Sequence, residues 1–177
     1  MKKNKSGIYL ALFIIAVIAG TALLYIQTQE KSTTGIFPEK LGDMNLALYR
    51  EGDTAMEAVK ELHGNNPGVR IENAYIANYR SNSGNKAKFW VSESANSGEA
   101  ASLLAAMNSR VGKTGMFSNS TPMSMKGITV YFVSGLSPDL GLYHYFYAKG
   151  DRVFWIQIDN QDESYRIEII KESIKRI

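Results

Sequence analysis

Residues 142–159 read LYHYFYAKGDRVFWIQID, and this stretch decides the fold. Two runs rich in aromatic and β-branched residues, Leu142 to Lys149 and Val153 to Asp159, flank Lys149-Gly150-Asp151, so the segment predicts a β-hairpin. Along the first run a period of two places Tyr143, Tyr145 and Tyr147 on one face and Leu142, His144 and Phe146 on the other. Asn160-Gln161-Asp162-Glu163 follows as a helix start. Behind it Ile167, Ile170, Ile174 and Ile177 recur at helical spacing as the expected buried side.

The same order occurs 65 residues earlier. Strands are expected over 69–79 and 86–93, joined by the turn-forming SNSGN, and the second contains Phe89-Trp90-Val91, an echo of Phe154-Trp155-Ile156. An Asn96 cap with Glu99 three residues on then opens a helix carrying Ala100, Leu103, Leu104, Met107 and Val111, which Gly112 ends. Hairpin, FW(V/I), cap and helix thus appear twice, the pattern of a duplicated ββα unit. Further strands are expected over 45–49, 123–125 and 128–133. A further helix is expected from a Thr54–Glu57 capping box, with Ala55, Met56, Val59 and Leu62 inward and a stop at His63-Gly64. The expected fold class is α+β, with a mainly antiparallel sheet and about three helices laid on one face of it.

At the other end of the chain, Gly7–Ile26 holds twenty residues without a charge. As a helix it would measure about 30 Å, the thickness of a bilayer's hydrocarbon core. Lys2, Lys3 and Lys5 precede it, and Glu30 and Lys31 cancel after it, so the positive-inside rule puts the N-terminus in the cytoplasm. The implied organisation is a cytoplasmic basic tail (1–6), a transmembrane helix (7–26), a polar tether (27–36) and an extracytoplasmic domain (37–177). A cleavable signal is the alternative, with small residues at Gly20-Thr21-Ala22, but the apolar run continues to Ile26.

Charge narrows the partner classes. The chain has 20 Lys+Arg against 17 Asp+Glu and a pI near 9.0, but the excess sits in the tail, and the exported part balances. Nucleic acid is therefore not an expected partner. The bilayer, through residues 7–26, and a cell-envelope protein are. With no cysteine there is no disulfide framework, no lipobox and no cysteine-based zinc site, and no cofactor is expected.

Motifs of known chemistry are missing or misplaced. Gly112-Lys113-Thr114 ends a helix where a phosphate-binding loop needs to begin one, and Met107 stands where that loop needs glycine. Ser83-Gly-Asn-Lys86 matches S-x-x-K but lies in a hairpin turn. Asp159, Asp162 and Glu163 do not have calcium-loop spacing; Glu57, Glu99 and Glu163 are read as N3 residues of helices. His63 fits a helix C-terminus. Asn119-Ser120-Thr121 is an exported N-glycosylation acceptor, whereas Asn4-Lys5-Ser6 falls on the cytoplasmic side.

Two readings lead for function, with an enzyme of unfamiliar site, for which the sequence offers no paired carboxylates or nucleophile with base, as a third. The first is an anchored, extracytoplasmic, non-catalytic domain serving a cell-envelope partner. The second is a surface receptor for haem or carbohydrate, its ligand held by Tyr143, His144, Tyr145 and Tyr147 with Tyr131 from a neighbouring strand. The ordinary alternative for those tyrosines is cross-strand packing. The phrases FPEKLGDMNLALYREGDTAMEAVKELHG (37–64), AKFWVSES (87–94) and HYFYAKGDRVFWIQID (144–159) resemble uncharacterised membrane-anchored exported domains of prokaryotes, archaeal ones among them. That resemblance implies location and architecture and transfers no functional residue.

Overall fold

A computed structural model describes residues 35–63 and 70–177. The expected tail, membrane span and almost all of the tether lie outside the described residues. So do the Gly64 stop and the side chains of Leu62 and His63. Among the described residues no helix is long and apolar enough to cross a membrane.

The domain is α+β. Its strands are β1 (Lys40–Leu41), β2 (Met44–Glu51), β3 (Asn73–Ser81), β4 (Lys86–Glu93), β5 (Thr121–Met125), β6 (Ile128–Ser134), β7 (Tyr143–Lys149) and β8 (Arg152–Asp159). Among the described residues three helices, α1 (Asp53–His63), α2 (Ser97–Val111) and α3 (Glu163–Arg176), accompany them, with a 3-10 turn at Pro138–Leu140. One antiparallel sheet runs in the order β1-β2-β3-β4-β8-β7-β6-β5. Glycine supplies its tight turns: Gly150 at φ +62° closes β7 onto β8, and Lys126-Gly127, both left-handed, close β5 onto β6.

The two FW(V/I) triads meet at the centre of the sheet. Across the β4–β8 seam Phe89 pairs with Ile156, Trp90 with Trp155 and Val91 with Phe154. The strand order is symmetric about that seam, but the helices are not. α1 and α2 cover one face, packing on Ala74, Ile76 and Trp90 and on Val153, Phe146 and Val133, while α3 covers the other. This corrects the expectation of helices on one face only. The reason lies in the strands: Ala74–Ala77 and His144–Tyr147 are buried throughout, so both faces need cover. On the α3 face one apolar cluster runs from Met44 on β2 to Met125 on β5 and takes in Ile169, Ile170 and Ile174.

Helix starts shift from their expected places. Asn96 caps α2 as expected, its Oδ1 accepting from the Glu99 amide at 3.0 Å. α1 begins two residues early, with the Gly52 carbonyl accepting from the Ala55 and Met56 amides, and Thr54 donates back to the Glu51 carbonyl instead of capping. α3 is capped by Asp162, which accepts from the Ser164 amide, while Asn160 accepts from Asp162. Of the three glutamates placed at N3, only Glu99 occupies it. The inward stripe of α3 is Arg166, Ile169, Ile170, Ser173 and Ile174, with Ile167 and Ile177 half-buried on its flank. Reading isoleucines alone misplaced the stripe because two of its five members are polar.

Candidate functional site

Of the five candidate ligand residues, Tyr143, Tyr145 and Tyr147 share one face of the sheet and His144 lies on the other, as a period of two predicts, while Tyr131 falls on the His144 face and does not extend the tyrosines. Tyr145 and Tyr147 are buried beneath α3, and both hydroxyls are committed there. Tyr147 Oη bonds with Ser173 Oγ at 3.0 Å, and Tyr145 Oη accepts from Arg166 Nε at 2.9 Å. Burial pushes the pKa of both phenols up. Tyr143, half-buried at the sheet end, stacks under the Arg166 guanidinium at 3.7 Å and donates to Gln161 Oε1 at 2.5 Å. Arg166 Nη1 also donates to the carbonyls of Asn160 and Gln161, so the guanidinium fixes the start of α3.

His144 and Tyr131 lie on the opposite face. The register pairs Tyr131 with Phe146, on which it stacks at 5.2 Å, and places Phe132 beside Tyr145. A one-residue step along a strand changes the face. His144 is buried, and both of its ring nitrogens are used. Trp155 Nε1–H donates to Nδ1 at 3.0 Å, which leaves the proton on Nε2 to donate to the Leu140 carbonyl at 2.7 Å. Burial lowers its pKa. Among the described residues no group of three or more His, Asp or Glu is gathered to hold a metal ion. Asn119 is exposed in the loop after α2, its side chain lying against Gly112.

The helices leave a polar row on this second face. In register across β3, β4 and β8 stand Asn78, Lys88 and Gln157, with Leu48 of β2 on one side and His144 on the other. Among the described residues Asn78 Oδ1 is buried with no hydrogen-bond partner, and Lys88 makes no ion pair. Lys88 Nζ instead sits over the Trp90 ring, 4.3 Å from its centroid. Its pKa is lowered, first by burial and then by Arg50 on the same face. The next row holds Arg80, Lys86 and Asp159, all exposed. The strand positions of this face thus present Lys40, Arg50, Arg80, Lys86 and Lys88 against one carboxylate, Asp159.

The contrast between the faces is chemical. Beneath α3 the polar atoms satisfy one another, whereas on the second face Lys88 and the Asn78 amide oxygen lie side by side without a hydrogen-bonded or ionic partner among the described residues. An isolated buried acceptor costs about 1–3 kcal/mol, so such groups are ordinarily paired. The only signal in the sequence is one polar residue interrupting each apolar strand, Asn78 in AYIANY, Lys88 in AKFWV and Gln157 in WIQID. The second-face row became visible only once the strands were paired.

No family model, curated protein or solved structure matches the chain. The geometry therefore carries the functional reading alone.

Proposed function

We propose that the chain is a membrane-anchored binding domain, held on the outer side by residues 7–26, whose second sheet face receives an anionic group of a cell-envelope partner. The observation that carries the site is the pairing of Lys88, without a counter-ion among the described residues, with Asn78, whose buried Oδ1 lacks a donor. A carboxylate or phosphate would supply the missing charge, and a hydroxyl or amide beside it would supply the missing donor. Arg50, Arg80 and Lys86 widen the positive field around that point. The role is binding without catalysis, in keeping with the sequence motifs. The tyrosine strand gives weaker support to a haem or carbohydrate receptor, because Tyr145 and Tyr147 already spend their hydroxyls within the core.

The test is a titration of the full chain, reconstituted in phosphatidylcholine nanodiscs, with pyrophosphate and with polyglutamate, read by tryptophan fluorescence. Trp90 and Trp155 are the only tryptophans, and Trp90 lies under Lys88. A salt-sensitive response that Lys88→Met abolishes is expected. Silence toward both anions, or an equal response in Lys88→Met, overturns the assignment.

A further inference from the structure

Three side chains stand out on the domain surface. Among the described residues the large apolar side chains that are well exposed are Met116 (48%), Leu136 (60%) and Leu142 (50%). Although distant in sequence, they come from two loops tied to each other. The Leu136 amide donates to the Met116 carbonyl at 2.9 Å, and the Gly135 amide to the Leu142 carbonyl at 3.1 Å. Phe117 and Gly135 form a β-bridge, and the Ser134 amide donates to Ser118 Oγ. Phe117 then fixes the pair to the core, edge-on to His144 at 5.0 Å and to Trp155 at 5.2 Å. The apolar side chains are thus displayed on a braced platform. Arg110 and Lys113, both exposed, lead into the first loop, and Asp139 is the acid of the second.

We propose that this loop pair is a second membrane contact, in which Met116, Leu136 and Leu142 dip into the lipid interface. The inference rests on the anchor reading of residues 7–26. The apolar run ends at Ile26 and the described fold begins at Gly35, so the eight residues between them reach at most about 30 Å. A tether of that length keeps the domain at high effective concentration next to lipid, so even a weak contact is populated. Three side chains fall far short of the roughly 800 Å² per partner that a stable protein interface buries, whereas interfacial insertion needs only a few apolar residues beside cations. Arg110 and Lys113 suit anionic headgroups.

The absence of cysteine makes the test clean. Leu136→Cys and Ser102→Cys, both at exposed positions, are each labelled with an environment-sensitive fluorophore in the full chain. Each is then reconstituted into phosphatidylcholine–phosphatidylglycerol vesicles containing a shallow nitroxide-labelled lipid. The expected result is a blue-shifted, quenched probe at position 136 and an unquenched, water-exposed one at 102. If the chain floats with the vesicles but the 136 probe reads water, the loop contact is overturned and the anchor stands. A chain that fails to float overturns the anchor reading, and the loop contact with it.

Discussion

Trp155 Nε1 donates to His144 Nδ1 at 3.0 Å, and that single bond sets the protonation state of the histidine. The indole can only donate, so Nδ1 must accept, and the imidazole proton stays on Nε2 facing the Leu140 carbonyl. A second proton would place two N–H groups face to face inside a buried aromatic cluster.

His144 should therefore make stability depend on pH. Its folded pKa is lowered, with burial as the largest cause, while an unfolded histidine titrates near about 6.5. Between the two values the unfolded chain binds a proton that the folded chain refuses. The contribution is complete above about pH 6.5 and is lost as pH falls through that value toward the folded pKa. Urea unfolding at pH 7.5 and at pH 5.5 should show a loss at the lower pH that is smaller in His144→Gln. An identical loss in both proteins would remove His144 as the cause.

Arg166 offers a second test, on the opposite face. It is buried, donates to the Tyr145 hydroxyl and to two backbone carbonyls, and stacks on Tyr143. Arg166→Met keeps much of the volume but leaves those acceptors unsatisfied, so unfolding should become easier by about 2–4 kcal/mol. Arg166→Lys should recover little, since an ammonium cannot reproduce the planar fork. Chemical denaturation checks both, and a Lys variant as stable as the parent would refute the geometry.

These interactions show where the sequence was informative. Strand β4 was legible to the residue, because its aromatic and β-branched run lies between the turn-rich SNSGN and the Asn96 helix cap. The two-residue β1 was not, since two residues have no period. The polar leads before α1 and α3 each contain several residues able to cap, and tertiary packing chose among them. Grouping Tyr131 with Tyr145 failed for a different reason. Which residue of β6 opposes which of β7 depends on the loop between them, and a one-residue step changes the face. The Asn78–Lys88–Gln157 row needs three strands paired in register, which no local pattern encodes.

Tyr147 separates packing from binding. Tyr147→Phe removes one hydroxyl, and Ser173 Oγ keeps its bond to the Ile170 carbonyl at 2.7 Å, so the cost should be about 1 kcal/mol. Tyr147→Ala empties the space beside Phe154 and should cost about 3–5 kcal/mol. Anion binding at Lys88 should be unchanged in Tyr147→Phe, because the two residues lie on opposite faces. A ligand that binds the parent and is lost in Tyr147→Phe would return the tyrosine strand to consideration.

Gly135 and Gly150 make a paired test of the brace beneath the apolar loops. A Cβ on Gly150 would meet nothing within 4 Å, so Gly150→Ala costs only the left-handed backbone, about 1 kcal/mol. A Cβ on Gly135 would collide with the Gly141 carbonyl oxygen and crowd Leu140 Cβ at 3.2 Å. Carbonyl oxygens on a braced loop cannot swing aside as a flexible side chain does. Relief therefore requires segment 135–142 to shift, which displaces the Leu140 carbonyl from His144 and moves Leu136. Overpacking of this kind costs about 1–3 kcal/mol, before the lost histidine bond is added. Gly135→Ala should accordingly melt well below Gly150→Ala, which a thermal denaturation of the two variants checks. If the two variants melt together, the loop is not braced against the core as the Gly135–Gly141 contact requires.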